Sequence, residues 1–252
     1  MSSRNEGHLL GPCLDAIAFC DEVIVVDLES EDDTVAVAEA HGARVVRHAL
    51  VPIAEAARVT VAPQARHDWI LVVDPDETVP PALAREVAEL VPSLAPDVAA
   101  VDAPRQYFFA GHPLRGTVWG GPNKRRLLVR RSAVTLTPAI WGGMEIHPGF
   151  RLHTLPFTDE TAIEHRWADG YRELAQRHHR YLQLEPNDRA AAGEVTGYRA
   201  VAAMPWRAFR ESFLAKRGYR DGLTGLGLSL FWAVFRTRGE LALLRKLREP
   251  AV

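Results

Sequence analysis

The stretch WILVVDPDE (residues 69–77) carries five apolar side chains straight into three carboxylates, Asp74, Asp76 and Glu77. Charges of one sign this close repel unless a cation or water sits among them. Pro75 holds Asp74 extended and removes a ladder donor, so a strand ends here and a tight turn projects the carboxylates. Hard oxygen ligands of this kind suit Mg2+ or Mn2+, which use one or two carboxylates and let substrate phosphates complete the shell. A diphosphate bridged to the turn by such an ion would relieve the repulsion. So would plain solvation, with the turn capping the helix that follows Pro80.

A second acidic loop, VVDLESEDDT (25–34), also leaves a strand and opens a helix, with Ser30 or Asp33 as candidate caps. Asp27 is thus another strand-end carboxylate. It could accept a hydrogen bond from a nucleobase N–H, or serve the turn.

The elements that position these groups alternate in type. Apolar runs at 21–27, 43–49, 69–74 and 98–104 read as strands, and 9–19, 34–41, 52–66 and 81–90 read as helices. Strands alternating with amphipathic helices imply βαβ units and a mostly parallel sheet with helices on its flanks. The crossovers are right-handed, so the carboxyl ends of the strands gather along one edge, where open α/β sheets bind ligands. From 105 to 165 the strands shorten between Gly/Pro-rich loops, VWGGPN and IWGGMEIHPG among them. Residues 168–185 and 205–217 read as helices, and an apolar run at 223–235 precedes Arg236, Arg238, Arg245, Lys246 and Arg248. That run is too short for a bilayer span of about 20 residues. Three parts follow: 1–104, 105–185 and a helical C-terminal extension at 186–252.

Bulk properties set limits. The chain has 252 residues, 47% of them hydrophobic, and a formal charge of −2, which gives nucleic acid no electrostatic reason to bind. MSSRNEGHLL contains no apolar signal segment. Cys13 and Cys20 are seven residues apart on one expected helix, about 10 Å and too far for a disulfide. A reduced, cytoplasmic protein is the expectation.

In order and spacing, NEGHLLGPCLDAIAFCDEVIVVDLESEDDT, HDWILVVDPDE, RRLLVRR, IH and IEH resemble the family 2 glycosyltransferases. The tail RGYRDGLTGL is similar to a subgroup that contains bacterial lipopolysaccharide-core glucosyltransferases. The resemblance covers most of the chain, and it implies that 1–104 is the nucleotide-sugar-binding half and 105–185 the acceptor-side half. It implies a GT-A fold, a mixed and mostly parallel α/β sheet, and inverting transfer of a sugar from a nucleotide-diphosphate donor, a UDP-sugar first. It implies Mn2+ or Mg2+ as cofactor and a glycan, lipid-linked or small-molecule acceptor. By the same likeness Asn5 and Glu6 lie in the first loop near the donor, Asp27 contacts the base, Asp74 lies near the ribose and Asp76 binds the metal. Glu77 matches the family's following Glu. Arg126 of RRLLVRR would place a positive charge near donor or acceptor, or be a solvated strand-edge arginine.

The chain departs from that pattern in three places. Relatives carry Val-His-Glu where this chain has EIHPG, so Pro148 replaces a carboxylate that could be the base. Glu145 is the expected substitute, with His147 as base, metal ligand or packed group. His165 of IEH matches a family histidine, with a hydrogen-bonding core role expected. Relatives begin with a full strand where this chain has MSSR, so either the start lies upstream or the strand is lost, which would leave a sheet position unfilled. Relatives also carry Arg-Asn before the acidic turn, whereas ARVT keeps Arg58 alone. The C-terminal helices suit a membrane interface at the inner face, or packing on the catalytic domain or a second copy. A catalytically inactive binding module and a nucleotidyltransferase are the alternatives, although the latter's basic Gly-rich phosphate loop is not visible.

Overall fold

In the computed structural model, which describes residues 1–121, 123–138 and 143–249, the chain divides into two compact units. Unit 1 comprises Met1–Arg105 and Lys124–His165; unit 2 comprises Gln106–Asn123 and Arg166–Val252. Pro122 and residues 139–142, parts of the Gly/Pro-rich loops, lie outside the described residues.

Unit 1 begins with β1 (Ser2–Ser3), α1 (Gly7–Ala16), β2 (Ile24–Asp27), α2 (Thr34–Ala40), β3 (Arg44–Arg47) and α3 (Ala54–Val61). β1, β2 and β3 form a parallel sheet in that order, as the alternating periods predict. The first strand is therefore present as a two-residue ladder, with Ser2 and Ser3 opposite Val26 and Asp27. It corrects the expectation of an unfilled position.

After β4 (Trp69–Leu71) come β5 (Glu77–Thr78), α4 (Pro81–Leu90), β6 (Val98–Phe109), β7 (His112–Pro113) and β8 (Asn123–Arg130). β9 (Val134–Leu136), β10 (Met144–Ile146), β11 (Arg151–Thr154) and β12 (Ile163–Ala168) follow. β4, β8, β6, β12 and β5 are neighbours in this order, while β9 and β10 pair by themselves. β4 meets β8 antiparallel and β12 meets β5 antiparallel, whereas β11 runs parallel to β6. This larger sheet is thus mixed and is separate from the parallel sheet of β1–β3. The strand expected at 98–104 is longer: β6 runs on to Phe109, 12 residues in all.

Leu10, Leu14, Val25, Val73, Leu83, Val87, Leu127 and Ile163 fill the main core of unit 1. Cys13 joins them, and burial pushes its thiol up to about 12, which makes it an inert packing group. Both cysteines are free.

Unit 2 carries α5 (Tyr171–Ala191), α6 (Tyr198–Phe209) and α7 (Gly222–Lys246). The apolar run at 223–235 is only the first half of α7, which continues for 25 residues through Arg236, Arg238 and Glu240. Among the described residues no helix is long and apolar enough to cross a membrane. Asp221 explains part of the RGYRDGLTGL signature. Its carboxylate accepts the Arg115 and Gly116 amides, each at 2.7 Å. Gly225 is required beside it, because a Cβ there would collide with the Gly218 carbonyl.

His178 on α5 is buried in an aromatic cage of Trp119, Trp167, Tyr181, Phe231 and Phe235. Its Nδ1–H donates to the Leu174 carbonyl at 2.9 Å. Burial lowers its pKa from 6.5 to about 4. A pKa lowered on folding means that the unfolded chain takes up the proton first, so this stabilisation is complete above pH 6.5 and drains away towards pH 4. His178→Phe should flatten that fall, roughly 3 kcal/mol in all, in denaturant unfolding followed across the window.

Candidate active site

The acidic turn after β4 lies in unit 1, and the structure supplies the cations that its charges require. Val72 and Val73 continue past the end of β4 before the turn. The Asp74 carboxylate is gripped on both oxygens, by Arg58 of α3 on Oδ1 and by Arg125 of β8 on Oδ2 at 3.1 Å. Glu77, its side chain wholly buried, meets Arg125 at 2.8 Å and Arg105 of β6 at 3.6 Å. The Glu77 carboxylate also accepts the Asp74 amide at 3.1 Å, which closes the turn. Burial pushes the Asp74 carboxyl up, but Arg58 and then Arg125 overcome it and hold the group well below the usual carboxylate range. For Glu77 burial wins, and its pKa is raised despite Arg125.

Asp76 has a different neighbour. β5 and β12 are in register with His165 opposite Glu77, so the imidazole stands over the turn. His165 Nε2 lies 3.4 Å from Asp76 Oδ2, and Nδ1 lies 3.8 Å from Glu77 Oε1. His165 thus belongs to the site, which its sequence alone did not establish. The register of β12 against β5 is what brings it there.

These positions fit a divalent ion. Two ligands of one octahedral ion, each about 2.1 Å from it, lie roughly 3 Å apart, close to the spacing of Asp76 and His165. A carboxylate oxygen with an imidazole nitrogen suits Mn2+ and is accepted by Mg2+. Asp74 and Glu77 are committed to arginines. Among the described residues no group of three or more His, Cys, Asp or Glu is placed to hold a metal by itself. Further ligands would therefore come from substrate or water.

The first loop is locked to the loop after β2. Asn5 adopts the left-handed conformation (φ 55°), accepts the Glu31 amide on its side-chain oxygen at 2.8 Å and donates its own amide to Ser30 Oγ at 3.1 Å. Glu6 donates its amide to Thr34 Oγ1 at 3.0 Å and accepts from Ser3 Oγ at 3.2 Å. Neither Ser30 nor Asp33 caps α2 through its side chain. Asp32 does that work instead, accepting the amides of Thr34 at 3.0 Å and Gly7 at 3.1 Å. A side chain on Gly7 would collide with Asp33, so the close approach requires glycine. Asp27, buried at the end of β2, accepts the Ser30 amide at 3.2 Å.

Arg126 points elsewhere than its neighbour. Alternation along β8 sends Arg125 to the acidic turn and leaves Arg126 on Asp102, at 2.9 Å. Glu145 is exposed on β10, opposite Thr135 of β9. His147 Nε2 lies 2.9 Å from Thr135 Oγ1, so the two candidates share one patch around that threonine.

Residues 1–139 match the family described as Glycosyl transferase family 2. The chain belongs to that family. That membership sets the nucleotidyltransferase alternative aside. Glucosyl-3-phosphoglycerate synthase from Mycobacterium tuberculosis, in its complex with phosphoglyceric acid, is similar in structure with a TM-score of 0.50. The two are 19% identical, over 78% of this chain and 79% of that one. The complex of the same enzyme with Mg2+ and uridine diphosphate gives 0.50 at 18% identity with the same coverage. At these identities the likeness establishes the GT-A fold. A TPR repeat-containing protein of Synechococcus elongatus is 40% identical over 78 residues, 31% of this chain. The chain spans about a fifth of that relative, since the match covers 19% of it.

Removal of one partner from a fully buried ion pair costs more than from a half-buried one such as Arg126–Asp102. Arg125→Ala, which strips both Glu77 and Asp74, should lower the unfolding free energy by about 3–5 kcal/mol. Arg126→Ala should cost about 1 kcal/mol or less. Denaturant melts of the two variants, with equal losses as the contrary result, test the assignment of the arginines.

Proposed function

We propose that this glycosyltransferase moves a sugar, with inversion, from a nucleoside-diphosphate sugar to an acceptor hydroxyl, with Mn2+ or Mg2+ held by Asp76 and His165. The observation that carries the reading is the 3.4 Å approach of Asp76 and His165 beside an acidic turn whose other carboxylates are neutralised by arginine. A bound divalent ion would offset the negative charge that builds on the departing diphosphate. The complex of the structurally similar synthase with Mg2+ and uridine diphosphate supports the metal and makes a UDP-sugar the first donor to test.

The remaining roles belong to this chain's own side chains. Asp74, with 28% of its side chain exposed, keeps an open face for the donor ribose while Arg58 and Arg125 fix its orientation. Asp27 receives the nucleobase N–H at the end of β2, and Asn5 and Glu6 hold the first loop against the β2–α2 loop as the wall of that pocket. Arg126, tied to Asp102, contributes charge on the acceptor side.

Glu145 is the base. As the acceptor oxygen bonds to the anomeric carbon and the carbon–oxygen bond to phosphate breaks, the hydroxyl proton passes to the Glu145 carboxylate. His147 is bonded to Thr135 and positions that patch. The likeness of RGYRDGLTGL to lipopolysaccharide-core glucosyltransferases favours a glycan or lipid-linked acceptor. Cytoplasmic residence at the inner face of a membrane, with the C-terminal helices towards it, completes the reading.

Calorimetric titration of uridine diphosphate with and without Mn2+ tests the metal pair. Asp76→Ala and His165→Ala should each abolish the metal-dependent part of binding; affinity indifferent to EDTA in the unaltered protein would sink the site. Glu145→Gln should lower kcat by about 10^2–10^4-fold at unchanged donor affinity. Near-normal turnover would move the base elsewhere, and a protein that binds the nucleotide but never turns over would be the inactive module.

A further inference from the structure

The two units carry opposite charge. Unit 1 has 13 Lys and Arg against 23 Asp and Glu, a net −10, while unit 2 has 17 against 9, a net +8. The near-neutral total therefore conceals a strongly basic helical unit.

That unit also exposes a continuous apolar stripe. Leu223, Leu226, Leu230 and Val234 follow one another on α7 at steps of three, four and four residues, so they share one face of the helix, and all four are exposed. Leu223 is 86% accessible. At Val234 the stripe opens into a groove of about 520 Å3 between α5 and α7, with Phe231 and Phe235 among its apolar walls. Arg172 of α5 and Arg238 of α7 stand at its rim, both exposed, and neither forms an ion pair among the described residues. Arg236, Arg245, Lys246 and Arg248 extend the positive charge past the stripe.

We infer that unit 2 docks on an anionic lipid surface. The stripe of α7 lies in the interface, an acyl chain enters the α5–α7 groove, and Arg172 and Arg238 receive the lipid phosphate. An apolar helix face flanked by cationic side chains partitions into the boundary between headgroups and acyl chains, and each Lys or Arg near an anionic surface adds attraction. A second copy docked through this same face is a poorer occupant, because it would bring another +8 unit against this one. The inference names the lipid chemistry behind the proposed membrane residence and rests on unit 2 alone, so its failure would leave the donor site untouched.

Flotation of the full chain with phosphatidylcholine vesicles, with and without phosphatidylglycerol, tests it. The protein should float with the anionic vesicles only, and high salt should release much of it. Leu230→Glu with Val234→Glu, and separately Arg172→Glu with Arg238→Glu, should each weaken partition about tenfold or more. Thermal melts check that both variants stay folded, and the arginine pair keeps the test informative should the apolar pair not fold. Protein that stays behind with both vesicle types overturns the inference. So does flotation that neither variant weakens, or a dimer in light scattering that Leu230→Glu with Val234→Glu disperses.

Discussion

Three carboxylates within four residues at the end of a strand are matched by three guanidiniums and an imidazole drawn from four other elements. Arg58 arrives from α3, Arg105 from β6, Arg125 from β8 and His165 from β12. Ion pairs this deeply buried contribute little net stability once desolvation is counted, but each is costly to leave half made. The pairs therefore act as a register lock. A slip of β8 or β12 by one residue would turn Arg125 or His165 to the opposite face and leave Glu77 buried among uncompensated charge.

The lock also divides labour among the carboxylates. Asp74 and Glu77 are committed to arginine, and Glu77 closes the turn by taking the Asp74 amide. Asp76 is left beside an imidazole whose other nitrogen faces Glu77. A carboxylate behind a histidine is a recurrent way to fix ring orientation. In the proposed reaction Asp76 and His165 would hold the ion, whose charge would offset that of the diphosphate.

Charge is organised on a larger scale as well. The acidic unit holds the turn and the loops around it, while the basic unit collects arginines around a helical core of Trp119, Trp167 and Leu174. Net charge computed over the whole chain hides this polarity, which emerges only when contacts say which residues belong together.

The short-range features were legible in the sequence. The alternation of apolar runs and amphipathic helices gave the parallel start of unit 1. Pro80 marked the start of α4, and the order of NEG, VVD, DPDE and IEH pointed to family 2, because chain stiffness, turn chemistry and spacing are local properties. Arg125 instead of Arg126 was not legible, since adjacent strand residues face opposite ways and only the ladder says which face meets the acidic turn. Asp32 took the capping role expected of Ser30 or Asp33 for a similar reason: the loop's path is set by hydrogen bonds to Asn5 and Gly7, some 25 residues away. His165 became part of the site through a register 88 residues removed from its partner in sequence, Glu77↔His165. What the sequence determined was which residues carry charge and where strands stop; which charges meet was decided by long-range pairing, where burial makes an unmatched charge too costly to keep.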